Sequence, residues 1–239
     1  AGAGGGPARA LVVAPGPVNR LRPVVLLLAL AASWLLPVPA PAAGDCLVVD
    51  DFSKTKVGAF PAEWKPRKDA GREVYTVLEE PALRFLRAVS RGLGIQAARP
   101  FEWDLTAHPV LSWQWRPLLF PAGADERAAQ TNDSALAVYA VFPHTTFSVK
   151  SLKYVWSAVV PAGQHLNSSR GLTQVRVLRS GTERKGEWAE ERVDVLEDYR
   201  ALFKETEIPT PVGIAVLTDS DDTKSSAQGD YAQFRVCPP

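Results

Sequence analysis

Pro211 to Cys237 read PVGIAVLTDSDDTKSSAQGDYAQFRVC. Two apolar runs of strand length flank a loop of turn formers that carries Asp219, Asp221, Asp222 and Asp230. This predicts a closing pair of strands. The stretch Cys46-Leu47-Val48-Val49-Asp50-Asp51-Phe52 mirrors it, with a cysteine at the outer end of a short strand and two carboxylates at the inner end. One cysteine and one acidic group at each terminus place the first and last strands side by side. Two expectations follow: a Cys46–Cys237 disulfide, and an approach of Asp50 or Asp51 to the Asp219–Asp222 loop.

The 239 residues carry a net charge of +1, so there is no basic excess to neutralise phosphates and no nucleic-acid partner is expected. No methionine occurs, position 1 included, so the chain is expected to begin elsewhere than at its translation start. Residues 1–17 are mostly Gly, Ala and Pro, a composition expected to be disordered. Arg20 and Arg22 precede an apolar run from Val24 to Leu36, and a small-residue stretch through Ala40 and Ala42 follows. That order describes a secretory signal, and the run is shorter than the roughly 20 residues a bilayer needs. Residues 1–44 are therefore read as leader plus signal and 45–239 as one domain, exported to the periplasm or the extracellular space with no membrane anchor after cleavage. Export turns the two cysteines into a disulfide pair. His108, His144 and His165 are dispersed and form no zinc spacing.

Downstream the pattern is one of short strands. Val74–Leu78 and Leu83–Val89 are spaced as a hairpin. Leu111, Trp113 and Trp115 share one face of a strand while Ser112, Gln114 and Arg116 share the other. Ala135–Phe142 is almost wholly apolar, as a central strand is. Leu152, Tyr154 and Trp156 alternate with Lys153, Val155 and Ser157, and Val175 and Val177 alternate with Gln174 and Arg176. One helix interrupts near 194–204: Asp194 is placed to cap it with Glu197 three residues on, and Pro209 and Pro211 prevent its continuation. Many strands and one short helix predict an all-β chain, a single β-sandwich of jelly-roll type.

Asp50-Asp51-Phe52, Leu111–Arg116, Lys153–Trp156, Val177–Gly181, Glu197–Tyr199 with Leu202-Phe203, and Gly213-Ile214 running into Thr218–Thr223 occur in order over nearly all of 45–239. In these stretches the chain resembles the bacterial secreted domain-of-unknown-function family 3047. It is similar in outline to galactose-binding-like jelly rolls. The resemblance implies the sandwich and carries no activity with it. It also implies an aspartate in the middle of the closing strand, where this chain has Gln233.

Two kinds of site are open to these residues. Calcium takes six to eight oxygens, and Asp50, Asp51, Asp219 and Asp221 would supply carboxylates to it; the plainer reading is a solvated acidic turn. No other cofactor is indicated. Trp and Tyr present a flat apolar face with a polar edge, which suits a carbohydrate ligand. Trp115, Trp156 and Tyr154 are the aromatics read as reaching a groove, with Arg116, Gln114 and Lys153 as its polar rim. For glycoside hydrolysis Glu187, Glu190, Glu191 and Asp104 are present, but no spacing makes any pair converge. The expected function is a non-catalytic binding module for an extracytoplasmic carbohydrate. The alternatives are a glycan hydrolase or lyase and a structural envelope protein, and the oligomeric state is left open.

Overall fold

The computed structural model describes residues 45–239, so the leader and signal expected over 1–44 lie outside the described residues. In chain order the strands are β1 (Leu47–Asp50), β2 (Lys65–Pro66), β3 (Tyr75–Glu80), β4 (Leu83–Arg91), β5 (Ala97–Pro100), β6 (Val110–Leu119), β7 (Leu136–Thr145), β8 (Ser148–Ser157), β9 (His165–Ser168), β10 (Thr173–Ser180), β11 (Ala189–Asp194), β12 (Gly213–Leu217) and β13 (Ser226–Cys237). One helix, α1 (Val195–Phe203), follows β11. The first sheet has the order β11-β6-β13-β4-β3, with β1 also on β13; the second runs β2-β5-β12-β7-β8-β10-β9. After the β3–β4 hairpin the chain passes from one sheet to the other at β5, β6 and β7, and again at β11, β12 and β13. This winding is the predicted jelly-roll sandwich.

Side-chain alternation builds the core. On β6 the period of two turns Leu111, Trp113 and Trp115 inward, and on β8 it turns Leu152, Tyr154 and Trp156 to meet them. Trp113 sits edge-on to Trp115 at 5.3 Å between ring centroids, and Trp115 lies 6.0 Å from Trp156. On the opposite face of the second sheet, Ala137, Tyr139, Val155, Val175, Val177, Ala215 and Leu217 form a separate apolar cluster, which Val160 joins. β7, the predicted central strand, is buried on both faces for that reason.

The terminal strands meet as expected. β1 runs antiparallel to the end of β13, Leu47 opposite Val236, and Cys46 is bonded to Cys237 with 4.1 Å between their Cα atoms. The closing stretch is not a strand pair, however. β12 belongs to the second sheet and β13 to the first, so the acidic loop crosses the sandwich. Tyr231 ties the two ends of that crossing, its hydroxyl donating to Leu217 O at 2.8 Å and accepting from Ala137 N at 3.2 Å. Gln233, where the family resemblance implies aspartate, has φ 57° in a bulge where β13 slips against β6. Aspartate tolerates that left-handed conformation better than most residues, so the departure bears on the bulge and not on an acidic cluster.

α1 starts where predicted, with Asp194 accepting from Glu197 N at 2.8 Å. Lys204 in the left-handed conformation ends it. Its Tyr199 closes one end of the core against Phe142 at 4.5 Å.

Candidate functional site

The aromatics expected in a groove are core residues. Trp115, Tyr154 and Trp156 are buried between the sheets, and each satisfies its polar edge internally. Trp115 Nε1 donates to Glu191 at 2.9 Å, Trp156 Nε1 to Gly181 O at 3.0 Å, and Tyr154 Oη to Asp198 at 3.0 Å. Trp156 stands one residue from the end of β8, but its side chain, like those of Trp115 and Tyr154, is covered by the opposing sheet and does not turn outward. Arg116 is committed as well. On the outer face of the first sheet it pairs with the fully buried Asp230 at 2.6 Å and with Glu80 at 2.8 Å, and lies 4.5 Å over the Trp188 ring. Arg87 clamps the other oxygen of Asp230. That aspartate is therefore committed to two arginines, with Glu80 supplying the second negative charge, and takes no part in the acidic loop.

The expected metal set is also divided. Asp50 stands opposite Phe234 on β13, whereas the acidic loop precedes Ser226 at the other end of that strand. Eight residues of extended chain separate the two, about 26 Å. Asp50 instead accepts from Trp64 Nε1 at 2.6 Å and from Phe52 N at 2.7 Å, and Asp51 accepts from Ser53 N. Adjacent strands did not bring the carboxylates together because β1 covers only the far half of β13.

What does converge is Asp133, Asp219 and Asp221, whose carboxylate oxygens lie within 4.8 Å of one another. Asp133 is fixed by Thr223 N at 2.8 Å and Thr223 Oγ1 at 2.5 Å. Asp219 and Asp221 press against Gly94, where a Cβ would stand 2.6 Å from Asp219 Oδ1, so only glycine fits there. Burial, then the repulsion of Asp221 and Asp133, push the Asp219 carboxyl up to about 8 against the pull of Lys153. Three carboxylates are fewer than the six to eight oxygens calcium takes, so carbonyls or water would have to complete its shell. Nearby, the buried Glu126 accepts from Ser134 Oγ at 3.0 Å and Ser157 Oγ at 2.5 Å.

Lys153 is buried on the outer face of the second sheet, its ammonium 5.9 Å from the centroid of the Tyr139 ring. Burial works against its charge, but Tyr139, Asp219 and Glu126 outweigh it and raise its pKa. From Tyr139 a groove of about 710 Å³ opens over Ala98, Val141, Ala215, Ser151 and Thr173, bounded by Lys65 to Arg67 on one side and by the β7–β8 turn on the other. Phe147, at the tip of that turn, is 97% exposed. No aspartate or glutamate lines the groove. Lys153 had been expected only at a rim, and Asp133, Glu126 and Tyr139 had no place in the predicted site. One signal was present: a lysine between Leu152 and Tyr154, on a strand beside β7, which is almost wholly apolar through Phe142, has to be covered on either face.

The remaining acidic candidates do not assemble a pair. Glu190 lines a shallow pocket on the first sheet with Ser112, Gln114, Gln233 and Arg235 and no second carboxylate. Glu191 is held by Arg179, Glu187 by Arg184, and Asp104 accepts from Thr106. Among the described residues no helix is long and apolar enough to cross a membrane.

Comparison with solved structures finds similarity to the family 11 xylanase from Neocallimastix patriciarum, at 10% identity, TM-score 0.38, covering 76% of this chain and 99% of that one. It also finds the xyloglucanase domain of NopAA, a type three effector from Sinorhizobium fredii solved in complex with cellobiose, at 10% identity, TM-score 0.35, covering 74% and 98%. No curated protein matches the sequence. The model of the family described as "Protein of unknown function (DUF3047)" matches residues 62–235, most of the chain, and the protein belongs to that family.

Proposed function

We propose that the chain is an exported binding module that holds an extracytoplasmic glycan in the groove on the outer face of its second sheet, without cleaving it. The observation that carries this reading is the lining itself. Thr145, Thr146, Ser148, Ser151, Thr173 and Gln96 offer hydroxyl and amide groups over an apolar floor, with Tyr139 and Phe147 as its aromatics and no carboxylate present. Glycoside hydrolysis needs two carboxylates on opposite sides of the scissile bond, and no such pair faces this groove. Hydroxyl and amide groups around a few apolar and aromatic surfaces, with Lys65 and Arg67 at one side, are what a sugar chain needs to be bound. The Cys46–Cys237 disulfide accords with an oxidising compartment.

The test is titration of a glycan panel against wild type and Phe147→Ala. Phe147 packs on almost nothing in the fold, so its removal leaves stability unchanged. Loss of a stacking aromatic is expected to weaken binding on the order of tenfold. Release of new reducing or unsaturated sugar ends by wild type, or equal binding by the variant, would defeat the proposal.

A further inference from the structure

Resting on the groove reading above, we infer that the glycan is acidic, an oligouronide laid across the strands of the second sheet with its carboxylates held by lysine and arginine. The sheet register lines up Lys65, Ala98, Ala215, Tyr139 and Lys153 as one row crossing β2, β5, β12, β7 and β8. At a strand spacing of about 4.8 Å, the two lysines stand about 19 Å apart along that row. Lys65 lines the groove at the sheet edge, whereas Lys153 is covered and lies outside the lining, with the row continuing past it to Val175 and Leu166; the residues between the two lysines carry no charge.

The rim cations Lys65 and Arg67 are not used by the fold, whereas Lys153 is held by Tyr139, Asp219 and Glu126. None of Lys65, Arg67 and Lys153 forms an ion pair among the described residues. Lys65 and Arg67 are exposed at the rim, and Arg67 touches only Gln96, at 3.4 Å. Lys153 is 5% exposed, and its partner in the register, Tyr139, is equally buried and lines the groove. An anion arriving in the groove would meet the ammonium of Lys65 and the guanidinium of Arg67 at its rim. Lys153 and the acidic side chains that face it, Asp219 and Glu126, lie outside the lining, so the charge lining the groove is that of Lys65 and Arg67.

An acidic peptide shares the charge but not the remaining chemistry. A peptide adds to a sheet by main-chain hydrogen bonds at an edge strand. This groove lies on a sheet face, where β12, β7 and β8 have their backbone groups paired on both sides. The hydroxyls of Thr145, Ser148, Ser151 and Thr173 around it suit a sugar chain.

The experiment is calorimetric titration of the disulfide-bonded protein with oligouronides of galacturonate, guluronate, mannuronate and glucuronate. Each is paired with its carboxyl-reduced, neutral counterpart, and poly-glutamate is the peptide arm. One oligouronide is expected to bind at least about tenfold more tightly than its reduced form, with affinity falling as salt rises. The double variant Lys65→Gln/Arg67→Gln is expected to lose about tenfold in affinity and to flatten the salt dependence while melting as wild type does. Equal binding of acidic and reduced forms would overturn the acidic assignment and leave the glycan reading standing. Binding of poly-glutamate alone, or of nothing in the panel, would overturn both.

Discussion

Replacing Asp219 by asparagine should change how stability depends on pH, because the folded protein keeps a proton there that the unfolded chain gives up. The carboxyl is 8% exposed. Burial first, then Asp221 and Asp133, raise it from 3.8 to about 8, and Lys153 opposes them. Between those values the native state binds one more proton than the unfolded state. Stability therefore falls as pH rises through the window, by about 1.4 kcal/mol per pH unit, and by roughly 6 kcal/mol once the whole window is crossed. Asparagine resembles the protonated acid and can donate to Asp221, so the variant lacks this contribution. Asp50 and Asp198, whose pKa values burial also raises, contribute equally to both proteins and cancel. Urea unfolding at steps between about pH 5 and pH 7 should show Asp219→Asn gaining about 1.4 kcal/mol on wild type with each unit. A difference between the two proteins that stays constant over that range refutes the reasoning.

Reducing the Cys46–Cys237 bond, or replacing both residues by serine, opens a loop with a sequence separation of 191 and should cost about 5 kcal/mol in the chain-entropy model; unchanged denaturant midpoints would contradict this. Trp115→Ala should destabilise by about 3–5 kcal/mol, since it empties the core and leaves Glu191 with Arg179 as its remaining partner, yet leave the glycan affinity of the folded fraction intact. A selective loss of binding would return that tryptophan to the site. Millimolar calcium should raise Tm above about pH 8 and lose most of that effect near pH 6, because the ion has to displace the proton on Asp219. A response independent of pH would exclude this cluster as its site.

The fold was legible because its signals are local and repeat along the chain. Leu111, Trp113 and Trp115 alternate with polar residues, Asp194 and Glu197 mark the start of a helix, and cysteines flank the first and last strands. The sites were less legible, since each depends on register across strands distant in sequence. Trp115 shares the alternation of Trp113 on β6 and Trp156 that of Tyr154 on β8, and only the packing of the two sheets decides that all are covered. Asp50 was expected near Asp219 because β1 neighbours β13, but adjacency does not say which half of a twelve-residue strand is covered. Asp133 joins Asp219 and Asp221 because the loop after β6 returns against the loop after β12. No spacing along the chain encodes that meeting. Lys153 carried the one readable clue, a charge placed between inward-facing residues on a strand beside an apolar one.

The central claim, that the outer face of the second sheet holds the ligand, is tested most directly by mapping amide chemical shifts during titration with the tightest-binding oligosaccharide. Shifts are expected to concentrate at Ala98, Tyr139, Val141, Ser151, Thr173 and Ala215, the residues that floor the groove. Shifts centred instead on Ser112, Gln114 and Gln233, across the first sheet, would contradict it.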